Sequence, residues 1–489
     1  MKLRRAAGDM GAKLPALRVL PCGLALLLGS AIAAQSTWRR AYGALDDDRA
    51  RVVRVVDQDR FVVAGSTGSF GAGASDIYLL MLDADGDVQW SRTIGLGGVD
   101  VANDMVVLSD GGLVLAGTST SGGAGGYDGY LVRTDANGVV VWQRWFGGAD
   151  WDFFRDIRVI DDELILTGQT FSNGSVAGSA WLLRVDLQGA LHWSRSYDLE
   201  AASEGAATVV TTDGGYVMTG AIDEPSDVFV LKLDVDGEQE WFTRAGGDSV
   251  DVGLDVITTL DGGYSVVGTT RSWSEWEEGY HIKFDAMGNE QWFRHWGQIN
   301  DQGSNEHVQL VSGHYMTVGY TKTSGGGGKD MFLLKSEPNG DFSFGRTFGG
   351  SGDEIGYGLA ILPDGFICAG STDGYGSGGV DVFVVRTDGN GATQYETVED
   401  AFDPTTVGEV APVRFTIHPN PSVGEVFITG MGQPSPFALL DKTGRIVDQG
   451  VAIPREPVAV HHLADGTYVL RLDLPDGSFT TTRITILRP

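Results

Sequence analysis

Cysteine is nearly absent from this chain: two residues in 489, Cys22 and Cys368. So small a number leaves no disulfide framework and no Cys-based metal centre. Cationic residues are scarce too. Against 65 Asp+Glu stand 35 Lys+Arg, a formal net charge of −30, and nucleic-acid binding needs the opposite footprint. The eight histidines are scattered, with only His461 and His462 adjacent, so no Cys/His cluster has metal-ligand spacing. No serine sits in a Gly-x-Ser-x-Gly elbow, and no glycine-rich stretch runs into the Lys-Ser/Thr of a phosphate loop. Long apolar runs are missing apart from one, Val19 to Ala34, which is shorter than the ~20 residues of a membrane span.

That single run carries information. Arg4, Arg5, Lys13 and Arg18 precede it, and it ends in Ala31-Ile32-Ala33. Basic residues, an apolar stretch and a small-x-small end form an export signal. Residues 1–34 therefore read as a signal peptide, cut after Ala33 or Ala34. Cys22 is removed with it and, standing after Pro21, does not read as a lipoprotein acylation site.

What the chain has in excess is glycine, 72 residues, about double the usual ~7% share, and it has a repeat. Trp38, Trp90, Trp142, Trp193, Trp241 and Trp292 recur at close to fifty-residue intervals, and Phe344 takes the next place. Four residues before each of these positions, from Trp90 on, is a glycine (Gly86, Gly138, Gly189, Gly237, Gly288, Gly340), and seven before is an acid (Asp83, Asp135, Asp186, Asp234, Asp285, Glu337). Acid-x-x-Gly fits a type I turn closed by a left-handed glycine, a common hairpin connection. Twelve before is an aromatic or indole ring: Tyr78, Tyr130, Trp181, Phe229, Tyr280, Phe332. Upstream lies a second hairpin with turns such as Asp110-Gly-Gly and Asp261-Gly-Gly, whose following strand ends on Gly65, Gly117, Gly168, Gly220, Gly268, Gly319 or Gly370. Glycine inside a strand marks close approach of another backbone.

Two hairpins per unit make four antiparallel strands, and such units in series make a propeller. The expected fold is all-β: a seven-bladed β-propeller over residues 35–398, followed by a linker, 399–413, and a small β-sandwich-like domain, 414–489. Trp38 to Gly43 is an orphan outer strand, and the last unit's own outer strand, near Tyr395, is weak. The orphan is expected to complete the last blade and close the ring. Arg40, Arg92, Arg144, Arg195, Arg294 and Arg346 stand two after the repeat position, and Asp76, Asp128, Asp227, Asp330 and Asp381 stand fourteen before it, with Glu278 and Ser179 as variants. A repeated Asp–Arg pair across the hairpin is expected from this, with Glu278 meeting Arg294.

Units built from Asp-Gly-Gly-Tyr, Gly-x-Thr, Asp-x-x-Gly-x-x-x-Trp and a trailing Phe-Gly-Gly resemble the β-propeller repeats of secreted Bacteroidetes proteins. The tail carries different motifs: Phe415-Thr-Ile-His-Pro419-Asn420-Pro421-Ser, Leu439-Leu-Asp-Lys-Thr-Gly444-Arg, and Leu463-Ala-Asp-Gly466-Thr-Tyr468-Val. In that order, at the extreme C-terminus, they resemble the type A C-terminal sorting domain of the type IX secretion system. The resemblance implies Sec export to the periplasm and recognition of the tail by outer-membrane machinery. It also implies that the cargo ends on surface lipopolysaccharide or is released.

No catalytic constellation accompanies these motifs. Asp83-Ala-Asp-Gly-Asp87 and Asp234-Val-Asp-Gly-Glu238 are dense in the oxygen donors calcium takes, but turn chemistry explains both, since neither has the spacing of an EF-hand loop. No cofactor is expected from the motifs. The ligand lead is the variable loops. Between the second and third strands of one unit runs Arg271-Ser-Trp273-Ser-Glu275-Trp276-Glu277-Glu-Gly-Tyr280, unlike its small or glycine-rich siblings. Asp150-Trp151-Asp-Phe153-Phe adds rings to an inter-blade turn. Trp151, Phe153, Trp273, Glu275, Trp276 and Glu277 are the candidate ligand-binding residues, suited to polyhydroxyl or cationic partners such as glycans. The expected function is a secreted or surface-displayed binding module. The alternatives are a carbohydrate-active hydrolase or lyase using carboxylates on the propeller face, and a quinone-dependent dehydrogenase-type propeller, against which the Asp-Gly-Gly-Tyr hairpin counts.

Deleting residues 414–489 is expected to leave the N-terminal domain folded but confined to the periplasm, as fractionation and immunoblotting would show. Normal amounts of truncated protein outside the cell would overturn the sorting assignment.

Overall fold

A computed structural model describes residues 37–486, apart from residues 175, 200–201, 223–225, 298–299, 394–396, 400–415, 419–424, 430–433, 441–444, 455 and 474–478. The signal segment with Ala33 and Ala34, the linker beyond residue 399, and Pro419, Asn420, Pro421 and Gly444 lie outside the described residues.

The described residues are all-β. Consecutive strands join in fours, as in Asp48–Val55, Arg60–Thr67, Asp76–Asp83 and Val88–Ile94, each antiparallel to the next. The pattern repeats through the sheet that ends with Phe342–Phe348. The first strand of each sheet packs against the first strand of the next. The last of them, Glu354–Ile361, packs back on Asp48–Val55. Antiparallel four-stranded sheets set radially around an axis in this way are the architecture of a β-propeller.

The sheet of Glu354–Ile361, Gly365–Thr372 and Asp381–Asp388 takes its fourth strand from the other end of the chain. Trp38–Tyr42 pairs with it antiparallel, Trp38 opposite Arg386 and Tyr42 opposite Val382. Thr397–Glu399 then adds in parallel outside Trp38–Tyr42. Burying Trp38, Ala41 and Tyr42 in this way removes the open edge that an unfinished array would expose.

The repeat residues have distinct jobs. The acid of each turn accepts backbone N–H groups through its side chain: Asp83 Oδ1 takes those of Asp85 and Asp87, at 3.0 and 2.9 Å. Gly86 closes the turn at φ +83°, and a register shift follows at Met81/Leu82. This glycine is needed for a second reason. A β-carbon on it would strike the Trp38 ring of the neighbouring sheet, and Gly138, Gly189, Gly237, Gly288 and Gly340 meet Trp90, Trp142, Trp193, Trp241 and Trp292 likewise. The periodic indole is thus a rim contact that packs each outer strand over the next sheet's turn. Trp38 Nε1 donates to Ala84 O at 2.9 Å and Trp142 Nε1 to Leu187 O at 3.2 Å. The aromatic ring twelve residues earlier is buried inside each sheet pair.

The expected Asp–Arg pair does not form. The register puts Leu79, not Asp76, opposite Arg92, so the acid lies three positions away along the strand. The arginines stay at the rim, each over the ring two residues before it, and three of them reach the next sheet's turn: Arg40 to Asp87 at 2.7 Å, Arg195 to Glu238 at 2.9 Å and Arg294 to Asp341 at 3.0 Å. Glu278 bonds His295, not Arg294, at 2.7 Å.

Two sheets make up the described part of the tail. Thr416–His418, Glu425–Thr429 and Pro457–Ala459 form one; Ile446–Ala452, Ser435–Leu440, Gly466–Asp473 and Phe479–Ile486 form the other. They share a core that includes Val426, Leu439, Leu470 and Ile484. Tyr468 packs there and donates its hydroxyl to Ala464 O at 2.8 Å. Gly466 begins its strand.

Deleting residues 37–43 exposes the edge of Asp381–Asp388 and removes two buried aromatics. A loss of about 5 kcal/mol or more is expected, from large buried rings deleted together with a strand. Calorimetry should show a lower and broader melting transition; an unchanged one would contradict the role of this strand.

Candidate ligand-binding site

Every inner strand carries a register shift at the same place: Ala50/Val52, Ala102/Asp104, Phe154/Asp156, Gly205/Ala207, Gly253/Asp255, Ser304/Glu306 and Gly356/Gly358. A bulge kinks the strand and re-aims a side chain. It also pushes a carbonyl toward the second strand. Opposite each one stands the glycine of the β-rich run, and a β-carbon on Gly65, Gly117, Gly168 or Gly220 would overlap the carbonyl oxygen of Arg49, Val101, Phe153 or Glu204. The bulge and the glycine are one device.

The residues skipped by these bulges face the axis. Arg51, Asn103, Arg155, Ala206, Leu254, Asn305 and Tyr357, with Glu204, Ala221 and Val252, line an open pit of about 430 Å³. Asn103 Nδ2 and Asn305 Nδ2 each donate to the next inner strand, at Phe154 O and Gly356 O, both at 2.7 Å. Arg155 pairs with Glu204 at 2.7 Å and lies over the Phe153 ring at 5.6 Å. Arg51 lies over the Tyr357 ring at 4.5 Å.

Beneath the pit, around a cavity of about 100 Å³, runs a collar of buried charges. Arg54 bonds Asp104 at 2.6 Å and Glu306 at 3.2 Å. Arg158 bonds Asp104 at 3.0 Å and Asp156 at 2.8 Å, and approaches Asp255 to 4.0 Å. The two arginines span the places where the inner strand offers only Val52, Ala207 or Gly358. Each carboxylate also staples the following sheet. Asp104 accepts the N–H of Ile157, Asp156 that of Thr208, Asp255 that of His307 and Glu306 that of Leu359, at 2.6–3.2 Å. His307 Nδ1 bonds Asp255 at 2.8 Å, and its Nε2 meets Ser265 Oγ, which also contacts His281.

Against these four acids stand two guanidiniums and His307, all taken out of water, and the groups respond differently. Burial raises Asp156 well above the usual carboxylate range, against the pull of Arg158. Burial pushes Glu306 up to about 7, again against its arginine, Arg54. Burial also works on Asp255, but His307 and Arg158 outweigh it and hold that group low. Burial keeps His281 well below the ordinary imidazole range.

The residues named from sequence are distributed over the loops of the same end of the ring. Trp151 is 56% exposed and meets Tyr127 edge-on at 5.8 Å. Phe153, on the inner strand, packs on Tyr127 at 5.6 Å and carries Arg155 at the pit wall. Trp273 and Trp276 are 44% and 43% exposed. Trp273 leans on Phe293, centroids 4.4 Å apart, and on His295. Glu277 accepts the Tyr320 hydroxyl and pairs with Arg271 at 3.3 Å; Glu275 is exposed. The loops share an end because each inter-sheet turn bonds the loop before it: Asp152 N donates to Tyr127 O, and Gln302 N to Glu277 O, both at 2.8 Å. Among the described residues, no hydrogen bond, ion pair or ring contact joins Trp151 to Trp273 or Trp276, so the structure shows two aromatic patches. The collar and pit were missed in the sequence. Their signal was the spacing Asp100-x-x-x-Asp104, Asp152-x-x-x-Asp156, Asp251-x-x-x-Asp255.

Among the described residues no three His, Cys, Asp or Glu side chains converge as a metal centre. No described helix is long and apolar enough to cross a membrane.

No family model matches the chain, and no curated protein does. Solved structures do. Puromycin hydrolase is 17% identical, with a TM-score of 0.48, over 91% of this chain and 60% of that one. The Neurospora crassa Pan2 WD40 domain is 9% identical (TM-score 0.44; 72% and 91% covered). PorZ, a surface component of the type IX secretion system of Porphyromonas gingivalis, is 14% identical (TM-score 0.39; 92% and 70% covered). At these identities the likeness is one of fold.

Glu306 gives the collar a pH signature. Folded, it keeps its proton to about 7; unfolded, it releases it near 4.3. Between those values the folded chain binds more protons, so raising the pH lowers stability, by up to ~1.4 kcal/mol per unit for this one group. Urea melts at pH 5, 6, 7 and 8 should show a shallower decline in Glu306→Gln than in the parent. Parallel declines would mean Glu306 is ionised throughout.

Proposed function

We propose that residues 35–398 form a seven-bladed β-propeller that works outside the cell as a binding module. In this reading, residues 1–34 direct it to the periplasm, and residues 414–489, behind the linker 399–413, are the address read by the type IX secretion machinery. The sorting residues would be Pro419, Asn420, Pro421, Gly444, Gly466 and Tyr468. The observation that carries the binding role is the asymmetry of one end of the ring. The axial pit lies there, and the half-exposed indoles Trp151, Trp273 and Trp276 stand on loops at the same end. Equivalent loops elsewhere lack tryptophan; Phe70 and Tyr375 stand at the place of Trp273 but are smaller rings. Exposed tryptophan is unfavourable in water unless something covers it, and it is enriched among residues that dominate binding. The pit offers hydrogen-bonding and stacking groups rather than a nucleophile–base pair, which suits a polyhydroxyl ligand.

The experiment is a glycan array with the purified propeller, with reducing-sugar release followed in parallel. Trp273→Ala with Trp276→Ala is expected to remove binding to whatever glycan scores, while costing only about 1–2 kcal/mol, since both rings are nearly half in solvent. A large fall in melting temperature would make the rings structural. Release of reducing ends would replace the binding reading with a hydrolytic or lytic one.

A further inference from the structure

The inner strands follow one another around the axis, each packed on the next, so the residues at the wall of the pit stand in a fixed order. Asn305, Tyr357, Arg51, Asn103 and Arg155 make one continuous arc of hydrogen-bonding groups. Ala206 and Leu254, with Ala221 and Val252 beside them, make the remaining arc, which is apolar. A wall divided in this way holds an occupant in one orientation, because a few placed polar groups set direction in an otherwise apolar site.

The polar arc has unused capacity. Arg51 is half-buried and lies over the Tyr357 ring at 4.5 Å, yet among the described residues it makes no ion pair and no hydrogen bond. The collar acids beneath it have cations of their own: Asp104 and Glu306 bond Arg54, Asp156 bonds Arg158 and Asp255 bonds His307. Arg155 gives Nε and one terminal nitrogen to the same oxygen of Glu204, at 2.8 and 2.7 Å, which leaves its other terminal nitrogen without a protein partner among the described residues. Asn103 and Asn305 each donate through Nδ2 to the next inner strand, and both Oδ1 atoms are left without a protein donor among the described residues. At the wall of the pit two guanidiniums stand against one carboxylate, Glu204. The local sign is therefore positive in a chain whose net charge is −30.

On the reading of this ring as a glycan-binding module, we propose that the pit takes a sugar unit carrying one anionic group, a uronate carboxylate or a sulfate ester, with that group on Arg51. A guanidinium presents a planar fork of N–H donors that bonds an oxyanion two oxygens at a time. Hydroxyls of the same sugar donate to Asn103 Oδ1 and Asn305 Oδ1, and its C–H face rests on Ala206 and Leu254. A sugar bearing an amine is disfavoured, because its ammonium would meet Arg51.

The test uses the full chain lacking its signal segment and isothermal titration. The probes are trigalacturonate, its neutral methyl ester, galactotriose and galactotriose carrying one sulfate. The better acidic probe should bind about tenfold or more tightly than the neutral ones, the scale of a charge-assisted hydrogen bond, and which of the two it is identifies the anionic group. Arg51→Met should erase that difference. Affinity for the neutral probes and the melting temperature should stay nearly unchanged, since Arg51 makes no hydrogen bond or ion pair within the described chain. Glu204→Gln removes the one opposing charge and frees Arg155, so it should tighten the acidic probe, a gain that a merely structural pair would not give. Equal affinity for acidic and neutral probes, or an Arg51→Met variant that still prefers the acidic one, overturns the proposal and leaves the glycan-binding reading standing. Acetyl-leucine bound as tightly as trigalacturonate would overturn the sugar. If no probe binds and the glycan array is silent as well, both readings fall.

Discussion

A ring of sheets leaves its inner strands crowded around an axis with polar backbone and little room, and the bulge in each inner strand is the solution on which the rest depends. By pushing a carbonyl outward it demands a glycine opposite, and by rotating the next residues it sends charged side chains toward the axis. The collar of Arg54, Arg158, Asp104, Asp156, Asp255 and Glu306 follows from that geometry. Each carboxylate satisfies an N–H of the next sheet, so these charges are also backbone staples. A buried ion pair adds little net stability against a well-packed apolar alternative. What this one supplies is registration near the axis, complementing the rim bonds such as Arg40 to Asp87 and the loop bonds such as Asp152 N to Tyr127 O that join the sheets farther out.

The sheet pattern was legible in the sequence because each periodic residue obeys a local rule. A turn acid accepts N–H groups within four residues, and a left-handed glycine closes the same turn. The orphan strand at Trp38 could be placed for a related reason: an edge must be covered, and one unit lacked its fourth strand. The Asp–Arg reading failed because it assumed that matched offsets in sequence meant opposition in space. The turn register displaces Asp76 from Arg92 by three positions, and burial parts them further, since the acid is inside and the guanidinium at the rim. The pit was invisible for another reason. Its lining residue differs in almost every unit, from Arg51 to Ala206 to Tyr357, so repeat-based reading discards it as noise. The aromatic loops stood out because they broke the repeat. Their separation into two patches depends on distances around a ring, which no local pattern encodes.

The acids divide into populations with different physics. Those in the turns and at the rim are solvated and keep the molecule soluble. Those in the collar are bonded to arginines, and burial raises the proton affinity of Asp156 and Glu306. Those at the sheet junctions are buried, and among the described residues several have oxygens with no partner. A net charge of −30 therefore overstates the surface charge and hides the places where ionisation is coupled to packing.

The strand at Trp38–Tyr42 has a consequence for the order in which the chain can fold. Its partner, Asp381–Asp388, lies more than three hundred residues away, so closing the ring is the most non-local event in the domain. Sheets made of sequential hairpins can form early, because their contacts are short-range, whereas a contact of this span carries the loop-closure entropy of nearly the whole domain. The first strand must wait, unpaired, until the last sheet exists. A chain fed N-terminus first through a narrow passage would stay an open arc until the far end arrives, and would then lock in one step. The last described strand before the tail, Thr397–Glu399, lies beside that latch, so the tail leaves the propeller at its closing seam.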